Sequence, residues 1–165
     1  MLLGEIMFSR TATMVFAIVC VTMSAGAFAD QQRRPEFNKK TSVSTDDHGV
    51  RTISAANAHD LYWLTGYVQA GDRLFQMDNN RRQPSGTLAE LYGPSLLASD
   101  VQARTIGLRR GAEASLPALS KQTRKALDAY AAGVNAWVAE NPLPPEYELL
   151  GLTEFEPWTP LDSVV

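Results

Sequence analysis

An α+β chain, a short β-hairpin followed mostly by helices, is what this 165-residue sequence predicts. Three observations carry the prediction. Two β-branched runs, Thr41 to Thr45 and Val50 to Ser54, flank the turn-forming Asp46-Asp47-His48-Gly49. Apolar residues then recur at helical spacing from Leu61 to Met77, behind a capping Asn57. A second helical pattern follows Ser120.

The first 29 residues read as a secretory signal peptide. The run Thr11 to Ala25 carries no charge, and Ala27-Phe28-Ala29 forms a small-x-small cleavage site before Asp30. At 15 residues the run is short for a membrane span of about 20, so an uncleaved N-terminal anchor is the lesser alternative. A start at Met7 would give a more positive leading segment. Cys20 is the only cysteine. It follows Val19, not the small residue a lipid-anchor signal needs, and leaves the mature chain without disulfide or thiolate chemistry. The net charge is −3 before cleavage and unchanged by loss of Glu5 and Arg10. A mildly acidic chain with no basic patch is not a nucleic-acid binder.

Residues 30–40 are polar and read as a flexible mature N-terminus. The hairpin comes next. Two strands alone are marginal in water, so it must join a larger sheet or pack on helices. Asn57 caps a helix with Asp60 at its third position. One stripe of that helix is Leu61, Leu64, Val68 and Phe75, and a second is Trp63, Tyr67, Leu74 and Met77. Two stripes imply a largely buried helix. Gly66 and Gly71 inside it predict close backbone approach or a kink. Pro84-Ser85-Gly86 breaks the pattern, and Thr87 to Tyr92 is a short helix closed by Gly93-Pro94. Ser95 to Arg110 is predicted helical. Ser120 caps a helix running to Glu140, with Leu127, Tyr130, Val134 and Trp137 inward and Lys121, Arg124, Lys125 and Asp128 outward. Asn141-Pro142 ends it, and Leu143 to Gly151 is a proline-stiffened connection. Thr159 as N-cap, Pro160 at N1 and Asp162 at N3 announce a helix for which few residues remain. That pattern implies a chain truncated at its C-terminal end.

Candidate chemistry is sparse. His48 and His59 are far apart and have no partners at metal-ligand spacing, so they read as a turn residue and a first-turn helix residue. Asp46 and Asp47 belong to the turn. Asp72-Arg73 suggests a structural ion-pair network. Arg81-Arg82 offers an anion site or, more simply, charge at a helix end. Ser85, Ser95 and Ser120 have no base motif around them. The residues alone assign no catalytic residue and no metal ligand, and leave substrate-binding residues unknown.

Several segments together do resemble a known family. They are Asp47-His48-Gly49-Val50, then Gly66-Tyr67-Val68-Gln69-Ala70-Gly71-Asp72-Arg73-Leu74-Phe75-Gln76-Met77, then Arg81-Arg82 and Gly86-Thr87-Leu88-Ala89-Glu90-Leu91-Tyr92-Gly93. Ala129-Tyr130-Ala131-Ala132-Gly133-Val134-Asn135-Ala136-Trp137, Glu148-Leu149-Leu150-Gly151 and Pro157-Trp158-Thr159-Pro160-Leu161-Asp162 follow. In this order and spacing, residues 41–165 resemble the N-terminal part of the α chain in the penicillin acylase (penicillin amidase) family of N-terminal-nucleophile hydrolases. Two segments depart from it. Gly49-Val50-Arg51-Thr52-Ile53 stands where Gly-Val-Pro-His-Ile is frequent, and Ala70-Gly71-Asp72-Arg73 where Ala-Gln-Asp-Arg is. These bear on substrate subtype more than on membership.

The resemblance implies the leading fragment of an αββα sandwich, in a periplasmic or secreted precursor that cuts itself into an α chain, a spacer and a β chain. The β chain would begin with the nucleophilic serine, whose own α-amine acts as base. The implied reaction removes an acyl group from a small molecule such as a β-lactam or an acyl-homoserine lactone. Calcium is expected in the full-length protein, with no ligand carried onto this sequence. The family's α-chain pocket residues and calcium-binding Glu follow the Pro-Trp-x-Pro segment, beyond Val165. The fragment alone is then expected to be inactive, with the β chain of the same precursor as its partner. The alternatives are a non-catalytic secreted helical binding module, a truncated gene product, or an unrelated helical domain.

Overall fold

Two helices that cross at a pair of glycines organise the chain. The computed structural model describes Phe37 and residues 40–165; the expected signal peptide and nearly all of the expected flexible segment lie outside the described residues. Strands β1 (Ser42–Thr45) and β2 (Arg51–Ser54) pair antiparallel, with Val43 opposite Ile53 and Ser44 opposite Thr52. Asp46 closes their turn: its Oδ1 accepts from the amides of His48 (2.9 Å) and Val50 (2.8 Å), an Asx-type turn. Among the described residues this hairpin is the only sheet. Its Ile53 packs into the cluster of Trp63 and Leu64, as does Phe37, whose ring meets Trp63 edge-on at 5.1 Å.

Helix α1 (Ala58–Ser85) starts where expected, with Asn57 Oδ1 accepting from the Asp60 amide at 2.9 Å. It runs further than expected. Pro84 sits in its last turn rather than ending it, and the left-handed Gly86 closes it. Proline leaves the Asn80 carbonyl without its usual donor, which is tolerable because Asn80 is exposed. The kink expected near the glycines falls at Arg73, whose φ of −157° and ψ of 37° leave the helical region. Of the two predicted stripes, Trp63, Leu64, Leu74 and Met77 are buried and Leu61 is exposed. The expected pairing of Asp72 with its neighbour does not form. Asp72 instead accepts from Arg51 of β2 at 3.0 Å, with both side chains partly exposed; such a surface pair contributes about 1 kcal/mol at most.

Helix α5 (Lys121–Glu140), capped by Ser120 Oγ on the Thr123 amide, lies across α1. Its buried face consists largely of small residues, Ala129, Ala131, Gly133 and Ala136, around Val134. Leu127, Tyr130 and Trp137 of the predicted stripe are only half-buried. The reason is the crossing. A Cβ on Gly133 would run into the Trp63 carbonyl, and one on Gly66 into the Tyr130 carbonyl. The two backbones meet closely enough that only glycine fits on either side.

Between these helices lie α2 (Ala89–Tyr92), α3 (Leu97–Ile106) and α4 (Leu108–Ser115). The single helix expected from Ser95 to Arg110 is therefore broken. Gly107, at φ 81°, ends α3 in a left-handed cap, and Pro94–Leu96 forms a separate 3-10 turn. Helix α2 is shorter than expected because its first amides are capped from a distance: the buried Asp100 of α3 accepts from Leu88 N (3.0 Å) and Ala89 N (2.8 Å). The proline-stiffened connection contains a further helix, α6 (Pro145–Leu149). The capping box at Thr159 and Asp162 is present, but it opens a 3-10 turn, Pro160–Ser163. One hydrophobic cluster centres on Leu74, Val134, Tyr147 and Trp158, the other on Trp63, Leu64 and Ala136.

Candidate functional site

The densest polar constellation is buried on the last turns of α1. Asp78 is 1% exposed and Arg81 5%. Asp78 Oδ1 accepts from Arg81 Nε (2.7 Å) and Arg82 Nε (3.2 Å), while Oδ2 accepts from the Tyr147 hydroxyl (3.0 Å). Arg81 then reaches across the core. Its guanidinium donates to the Glu156 carbonyl (2.8 Å), approaches Asp162 Oδ2 (3.5 Å), and lies against the rings of Phe155 (4.6 Å) and Trp158 (5.1 Å). Arg82 turns outward to Glu90 at 2.8 Å. Asn135 of α5 completes the closure by a paired contact with the Trp158 backbone, at 2.8 and 2.9 Å.

A fully partnered buried charge cluster costs less than a half-satisfied one. Here every charge faces a counter-charge, so the cluster is a clamp holding segment 155–162 onto α1. No reacting group is displayed. The Tyr147 hydroxyl is pushed up from its ordinary value of 10.0 by burial and then by the neighbouring Asp78 carboxylate. It therefore stays a donor across the physiological range. In the folded state the proton is held more tightly than in the unfolded one. The resulting stability is complete below about pH 10 and is lost as pH rises above it. Tyr147→Phe should cost about 1–3 kcal/mol at pH 8 and flatten the loss at higher pH. Urea midpoints of both proteins at pH 8 and pH 11 check this.

The other singled-out residues are placed as follows. His48 lies exposed in the β1–β2 turn. His59, also exposed, sits 3.2 Å from Asp60. Asp46 is occupied in closing the turn, and Asp47 is exposed beside it. Arg81 and Arg82 are engaged by Asp78, so the anion-site alternative has no available cation there. Ser85 donates to the Arg81 carbonyl (2.6 Å) and accepts from Arg109 (3.2 Å); neither partner is a base. Ser95 is exposed and Ser120 is an N-cap. Among the described residues no group of three or more His, Cys, Asp or Glu is placed to hold a metal ion. An open depression of about 420 Å³ lies beside α6, lined by Leu143, Pro144, Tyr147, Glu148, Leu152 and Thr153. Among the described residues no helix is long and apolar enough to cross a membrane.

Asp78 and Tyr147, the centre of the clamp, escape notice in the sequence. Asp78 carries a usable signal, standing three and four residues before Arg81 and Arg82 on one helix. Tyr147 carries none, because its role depends on where the connection after α5 returns.

Comparison with known proteins agrees with this architecture. Residues 40–165 match the family model described as penicillin amidase. Penicillin acylase 2 proenzyme from Pseudomonas sp. (strain SE83) is 39% identical over 131 residues, 79% of this chain and 17% of the relative. Penicillin G acylase from Escherichia coli is 34% identical over 133 residues, 77% of this chain and 16% of the relative. An acyl-homoserine lactone acylase, QuiP, from Pseudomonas syringae pv. tomato is 34% identical over 129 residues, with 77% and 16% covered. The solved thermostable penicillin G acylase from Alcaligenes faecalis superposes with a TM-score of 0.68 at 36% identity, covering 75% of this chain and 68% of that one. The chain belongs to the penicillin amidase family. It spans about a sixth of the length of these curated relatives.

Proposed function

We propose that this chain is the leading, α-chain part of an exported precursor of an acylase that removes an acyl group from a small molecule. The observation that carries the reading is the family match over residues 40–165 in a chain spanning only 17% of a relative named as a proenzyme. Relatives named penicillin acylase and acyl-homoserine lactone acylase support an amide-bonded acyl substrate. The nucleophile is a serine at the start of a β chain outside these residues. Its α-amine takes the hydroxyl proton, the oxygen attacks the amide carbonyl, the amine leaves, and water releases the acyl group. The role of the present segment is scaffolding: α1, α5 and the Asp78–Arg81 clamp hold the returning chain in register. Calcium is part of this reading as a metal of the longer protein. The leader at 1–29 directs export, giving a mature chain that begins at Asp30.

The test starts from the DNA downstream of codon 165. An in-frame continuation containing a serine after a spacer should yield a precursor that cleaves itself on a denaturing gel. It should hydrolyse a chromogenic phenylacetyl or fatty-acyl amide, whereas residues 30–165 alone should not. Mass spectrometry of the periplasmic product should show Asp30 as its first residue. A native stop codon with no longer product would favour a non-catalytic secreted module. Turnover by the isolated segment would overturn the assignment of the chemistry to the β chain.

A further inference from the structure

We draw no further inference here: the strongest candidate, the open depression beside α6 lined by Leu143, Pro144, Tyr147, Glu148 and Leu152, carries none because nothing in the structure shows what covers it.

Discussion

Gly133→Ala is expected to destabilise the fold by about 3 kcal/mol, although alanine is the better helix former. The added Cβ meets the Trp63 carbonyl, a backbone atom that cannot rotate away. Relief requires α1 and α5 to separate, which loosens Ala70, Leu74 and Val134 together. The control is Gly111→Ala in α4, where nothing lies within 4 Å of the new Cβ. That change should stabilise by about 0.5–1 kcal/mol through helix propensity alone. Urea unfolding of the two variants should thus move the midpoint in opposite directions. A neutral Gly133→Ala would show that the helices do not cross as closely as described.

Arg81→Met is expected to cost about 3–5 kcal/mol, the scale of breaking a buried pair by removing one partner. The Asp78 carboxylate would remain buried with only Arg82 and Tyr147 as donors. The carbonyl of Glu156 would lose the guanidinium, and the Phe155 and Trp158 rings the cation between them. Arg82→Met should cost much less, about 1 kcal/mol, because its second partner Glu90 is exposed. Joining Arg81→Met to Asp78→Leu should cost less than the sum of the two single changes, since the uncompensated charge is then gone. Urea midpoints at pH 7 read all four proteins. Full additivity would mean that the two side chains do not act as a pair.

Much of the architecture is legible along the chain because it depends on neighbours in sequence. The hairpin, the Asn57 and Ser120 caps, the end of α5 at Asn141 and the capping box at Thr159 are local hydrogen-bonding events, and each is present. The misplacements also have causes. Ser95 to Arg110 reads as one helix because Gly107 costs only about 1 kcal/mol in a helix, yet the chain uses it as a left-handed cap. The periodicity of α5 points its large residues inward, whereas the crossing buries mostly small ones around Val134. Asp72 reads as the partner of Arg73, but the hairpin delivers Arg51 to it. The clamp was half visible, as Arg81-Arg82 near a helix end.

By itself the sequence determined family, class and order: a hairpin, then helices, with the motif set of the penicillin amidase family. Those properties follow from periodicity, caps and turn residues, which act over a few positions. Only the tertiary structure decided which residues meet. Asp78 and Tyr147 are 69 residues apart, and Arg81 lies 75 from the Glu156 carbonyl. Contacts at such separations depend on how closely α1 and α5 approach at Gly66 and Gly133. That approach is set by backbone atoms in contact, and no local pattern of side chains records it.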